Sequence, residues 1–200
     1  EQAVSLDPTF SKAWSGLAYN YALLPAYGAT ISPRQAWDRI KVATARAIEL
    51  DPSNAEAYTA LARGNIGDDY NTIQTLYEKA YELAPNNTDV VNLYGDFLVV
   101  IGDFTSAERM EQKAIDLDPL AAVHYSDMAF LMFMTGRIEE GLNFGRTSAN
   151  LEPGSVVRAD PLVAGLMLTG EYDEAIQVIR RFEQEYESNA DLINWWWCLL

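Results

Sequence analysis

Chemistry-bearing residues are scarce in this chain. A single cysteine, Cys198, excludes an internal disulfide framework and any paired-cysteine metal or redox site. A single histidine, His124, excludes a histidine-based metal cluster and would have to serve any Ser-His-Asp triad by itself. It precedes an aromatic at the start of a helical pattern and reads as a surface histidine. No GxGxxG or GxxxxGK phosphate loop occurs, so nothing points to a nucleotide cofactor or any other. Positive charge is short as well: 14 Lys and Arg stand against 29 Asp and Glu, a net charge of −15. That field repels phosphate backbones, which disfavours nucleic acid as a partner of this region. Long apolar runs are missing too; Asp96 and Gly102 interrupt the stretch 90–101, well short of the ~20 residues a membrane span needs. The chain opens at Glu1 inside a helical pattern and therefore reads as a fragment of something longer.

What the chain does contain is a recurring junction. ARAIELDPSNAEAYTALA (45–62) ends one helical pattern, breaks it at Asp-Pro and starts another. Related junctions recur at 5–18, 82–95, 116–129 and 150–163, with prolines at Pro8, Pro52, Pro85, Pro119 and Pro153. The spacings are 44, 33, 34 and 34 residues. Between prolines the apolar periodicity predicts two amphipathic helices, A and B. Helix A is expected over 11–24, near 55–66, 91–101, 123–134 and 156–168. Helix B is expected over 33–50, 70–84, 104–117, 138–151 and 172–186. Ser32-Pro33-Arg34-Gln35 carries a capping box plus a first-turn proline, and Ser53-Asn54-Ala55-Glu56 reads as a second capping box. With 23 aromatic residues to bury, the chain is a folded all-α array rather than a disordered acidic segment.

These residues resemble the tetratricopeptide repeat (TPR), a helix-turn-helix unit of 34 residues with small residues where its helices meet and proline near its end. Trp14, Leu17, Ala18, Tyr21, Ala47 and Pro52 match, followed by Tyr58, Leu61, Ala62, Ala80 and Pro85. Gly95, Ala107, Ala114 and Pro119 match next, then Tyr125, Ala129, Gly141, Ser148 and Pro153. The last full unit keeps Leu162, Gly170, Tyr172 and Ala175 but carries Phe182 at a small-residue position and Glu187 in place of proline. The resemblance implies a right-handed superhelical solenoid of antiparallel helix pairs. One array over 1–200 is expected: 1–10 ending a preceding B helix, then repeats at 11–54 (with a ten-residue insertion), 55–87, 88–121, 122–155 and 156–189, and a truncated A helix at 190–200. The insertion segment, LLPAYGATISPRQAWDRIKVATARAIELDP, is also similar to TPR regions attached to bacterial adenylate or guanylate cyclases and to membrane-anchored winged-helix regulators. That would make the chain the regulatory part of a larger bacterial protein, cytoplasmic or, with a membrane-anchored parent, periplasmic.

TPR proteins bind partners along the concave face of their A helices. Carried over by register, that face offers a polar row (Ser15, Thr59, Asn92, Ser126, Asp160). Beside it run Tyr19, Arg63, Asp96 and Phe130, followed by Phe133 and Met167. The expected role is a non-catalytic interaction module for a protein or peptide segment that is apolar or basic. Glu56, Asp89, Asp96 and Asp160 stand at clamp-like positions and argue against an acidic tail. The alternative role is a spacer or oligomerisation arm that self-associates through apolar ends, notably Trp195–Leu200. Pro25–Ile31 is an apolar insertion that either covers its helix or reaches the groove.

Overall fold

The Asp-Pro junction is built from hydrogen bonds that its own sequence supplies. In the computed structural model, which describes residues 1–24, 31–65, 69–185 and 196, Asp51 accepts from both the amide and the hydroxyl of Ser53 at 2.9 and 2.6 Å. Asp7 does the same for Thr9, and Asp118 takes the amide of Leu120. These bonds hold Asp7 and Asp51 below the ordinary carboxylate range. The aromatic of the following helix then reaches back to the proline carbonyl: Trp14 Nε1 to Pro8 at 3.0 Å, Tyr58 to Pro52 at 3.3 Å, Tyr125 to Pro119 at 3.0 Å. At Pro153, where the corresponding helix opens with valines, Arg181 donates instead at 2.6 Å. A helix-breaking pair thus becomes a defined corner whose exposed carbonyl is satisfied.

Eleven helices follow among the described residues: α1 (Gln2–Leu6), α2 (Ser11–Leu23), α3 (Pro33–Leu50), α4 (Ala55–Gly64), α5 (Tyr70–Leu83), α6 (Thr88–Val100), α7 (Phe104–Leu117), α8 (Ala122–Met134), α9 (Ile138–Leu151), α10 (Val156–Thr169) and α11 (Tyr172–Glu185). The box at Ser32 forms in both directions, Gln35 N to Ser32 Oγ at 3.3 Å and Ser32 N to Gln35 Oε1 at 3.0 Å. The second expected box does not form at Ser53. Its hydroxyl is already given to Asp51, so Asn54 caps α4 by accepting from Ala57 N at 3.1 Å. Turns within pairs close on Gly102, Gly136 and Gly170, each with φ near +80°, a left-handed conformation that glycine adopts without a side-chain clash.

The chain divides into two compact units, Glu1–Ile101 and Gly102–Leu200. In the first, α2 packs on α3, α4 on α5, and the first helices of successive pairs touch one another, α2 to α4 and α4 to α6. Small residues permit this approach: Ala18, Ala47 and Ala80 have no exposed surface, and Ala62 almost none. The second unit repeats the scheme with α8 on α9, α10 on α11 and α8 against α10. Its second helices are tied by ion pairs, Arg137 to Glu108 at 2.7 Å and Arg146 to Glu171 and Glu174.

Two features of the second unit differ from what local sequence suggests. His124 is only 3% exposed, because α8 is packed on both sides and its first turn is enclosed with it. Phe182, in place of a small residue, fills a core with Val156, Ala159, Val163 and Ile179 and meets Trp196 edge-on, ring centres 5.8 Å apart. The insertion at 25–30, residues 66–68 and the terminal stripe other than Trp196 lie outside the described residues.

Candidate partner-binding site

The first unit holds a cavity of about 210 Å³ on the side formed by α2, α4 and α6. Ser15, Gly16 and Tyr19 line it from α2, Glu56 and Thr59 from α4, and Asp89, Val90 and Leu93 from α6. Helix starts place these side chains, since Asn54 and Asn87 cap α4 and α6 and so set the first turns that carry Glu56 and Asp89. The Asn54 amide also donates to Ser11 Oγ at 2.7 Å and to Ser15 Oγ at 3.3 Å, while Ser11 Oγ donates to Ala47 O at 2.8 Å. Ser15 Oγ lies 3.4 Å from Glu56 Oε2. This buried polar chain joins α2, α3 and α4 and orients the cavity wall before anything binds.

The register residues separate into two kinds. Ser15, Tyr19 and Thr59 come together in the cavity. Arg63 and Asp96 adjoin it: the Arg63 guanidinium lies 5.9 Å from the Tyr19 ring centre and 4.0 Å from an Asp96 carboxylate oxygen. Asn92 and Ser126 are enclosed, at 7% and 2% exposure, and do not present a free polar row. Phe130 stays 38% exposed, edge-on to Phe133 at 6.2 Å. Phe133 itself is seated over Gly141 and Gly165, where any Cβ would strike its ring, and Met167 packs against two core clusters. Asp160 is half-buried and accepts from Trp196 Nε1 at 2.6 Å. Burial raises its pKa, and the Trp196 hydrogen bond opposes that rise.

Gly16, Val90 and Leu93 had no binding role by register, and Glu56 and Asp89 entered only as arguments against an acidic ligand. Gly16 could have been noticed, because a glycine inside a helix costs stability; the structure places no neighbouring element within 4 Å of where its Cβ would be. Among the described residues no three His, Cys, Asp or Glu side chains form a group able to hold a metal ion. No described helix is long and apolar enough to cross a membrane.

Paired antiparallel helices, small residues at their crossings and contacts between successive first helices define the TPR fold, the all-α class expected from the periodicity. Solved structures agree. A structure from a functional characterisation of Pseudomonas aeruginosa pilF is 23% identical, with a TM-score of 0.69 over 91% of this chain and 79% of that one. TTC0263, described as a thermophilic TPR protein in Thermus thermophilus, is 17% identical with a TM-score of 0.67, covering 83% of this chain and 86% of its own. YrrB, described as a TPR protein with an unusual peptide-binding site, is 17% identical with a TM-score of 0.56, covering 96% of this chain and 94% of its own. No protein-family model and no curated protein sequence matches the chain.

Proposed function

We propose that this chain is a non-catalytic interaction module that holds a peptide or partner segment against α2, α4 and α6. The observation that carries the reading is the cavity of the first unit, where an apolar floor of Val90, Leu93 and Tyr19 meets a small set of oriented polar groups. That mixture suits a segment that inserts one side chain while its backbone lies along the helices. YrrB, with its described peptide-binding site on the same fold, lends support. A regulatory role in a larger bacterial protein accords with the similarity of the insertion segment to cyclase and winged-helix regulator TPR regions. The test uses a displayed library of 12-residue peptides, panned on the native chain and on Gly16→Phe, which adds a ring at a cavity-lining position with open space around it. Selected peptides should bind the variant at least ~10-fold more weakly, the loss expected when a buried anchor is denied its pocket. Equal binding would place the partner surface elsewhere.

A second reading, self-association, is favoured by a shallow apolar cavity of about 360 Å³ on α2 and α3, lined by Trp14, Leu17, Tyr21 and Val42 among others. Val42 is 68% exposed there. Sedimentation of the native chain and of Val42→Glu tests it: a native monomer, or a dimer unaffected by the substitution, counts against this surface.

A further inference from the structure

The cavity of the first unit is lined by two acidic residues and no basic one. Its walls are apolar where Val90, Leu93 and Tyr19 contribute, and carboxylates enter it from two different helices, Glu56 on α4 and Asp89 on α6. Among the described residues neither carboxylate forms an ion pair with a lysine or arginine, and Asp89 is solvent-exposed. Arg63, beside the cavity, is engaged with the Tyr19 ring and Asp96. Thr59 supplies a third acceptor: it is 3% exposed, and its hydroxyl hydrogen goes to Ala55 O at 3.1 Å, which leaves oxygen lone pairs for an incoming donor.

We propose that this cavity takes the cationic side chain of a lysine from the partner segment, with the methylene stem against Val90, Leu93 and Tyr19 and the ammonium shared by Glu56, Asp89 and Thr59. The proposal rests on the reading of this cavity as the partner-binding site and adds what the site selects. Size agrees. A single water-sized group needs about 10–15 Å³ of such space, so a cavity of about 210 Å³ admits the five heavy atoms of a lysine side chain. Chemistry agrees as well, since an ammonium has three hydrogens to donate and the site offers acceptors on two helices. The net charge of −15 draws such a segment in from a distance. An acidic side chain would meet two like charges, and a purely apolar one would partly desolvate both carboxylates without supplying a counter-charge.

The test is an NMR titration of the isotopically labelled chain with Nα-acetyl-lysinamide and, separately, with Nα-acetyl-norleucinamide, which has the same stem without the charge. For a ligand of this size a dissociation constant of about 1–5 mM is expected. The lysine compound should move the amides of Gly16, Thr59 and Leu93. Glu56→Gln and Asp89→Asn, which keep shape and remove charge, should each weaken it about three- to fivefold, the range of a partly exposed ion pair. If norleucinamide binds as well as lysinamide, or if neither variant weakens the lysine compound, the charge selection is overturned while the groove reading stands. If neither compound moves those amides at tens of millimolar, both fall.

Discussion

Gly145 offers a direct contest between two opposite effects. It lies inside α9, where alanine is intrinsically favoured over glycine by about 1 kcal/mol. A Cβ added there would sit 2.9 Å from Leu162 N, Pro161 C and Pro161 O, all backbone atoms of α10. Backbone cannot rotate away as a side chain can, so the two helices must separate by roughly 0.5 Å to reach ordinary contact. A gap of that size forfeits about a quarter of each dispersion well, and over some 30 interhelix atom pairs the loss is ~1 kcal/mol. Overpacking strain adds about 1–2 kcal/mol. The net expectation for Gly145→Ala is a loss of about 1–2 kcal/mol, which lowers the melting midpoint by about 3–6 °C for a chain of this size. Gly16→Ala is the control: its added methyl meets nothing within 4 Å beyond its chain neighbours and its own helix backbone, so propensity acts alone and the midpoint should rise by about 2–3 °C. Thermal melts followed by circular dichroism decide the matter. Equal stabilisation by both substitutions would refute the close approach of α9 to α10.

Two further outcomes can be measured. Because burial raises the folded-state pKa of Asp160 above 3.8, its ionised form costs stability at neutral pH, and that cost fades as pH falls through the folded pKa. Asp160→Asn keeps an oxygen for the Trp196 hydrogen, so it should be at least as stable as the native chain at pH 7 and lose any advantage in acid; lower stability at pH 7 would contradict the assignment. Tyr125→Phe removes the 3.0 Å bond to Pro119 O and should lower the urea-unfolding free energy by about 0.5–1.5 kcal/mol, whereas no change would mean that the corner is held without it.

Much of this architecture was legible because it is local and repeated. A proline that cannot continue a helix, an aspartate that folds back on the amide two residues later, and alanines at fixed distances from both act the same way at successive junctions. Periodicity therefore set the all-α class and the helices seen among the described residues, with no knowledge of which helices touch. Competition between neighbouring groups was less legible: Ser53 could have capped α4, but Asp51 takes its hydroxyl and the cap moves to Asn54.

The candidate binding face depended on distances that no periodicity encodes. Register puts Ser15, Thr59, Asn92 and Ser126 in one equivalent row, yet only Ser15 and Thr59 border the cavity, with Asn92 and Ser126 enclosed. Phe133 looked available until Gly141 and Gly165 left a slot for its ring, and Asp160 looked like a free charge until Trp196, 36 residues later, donated to it. Sequence alone determined that the chain is an acidic array of helix pairs. Tertiary structure decided which polar groups are spent between helices and which line an open cavity, because that choice turns on helix separations of an ångström or less.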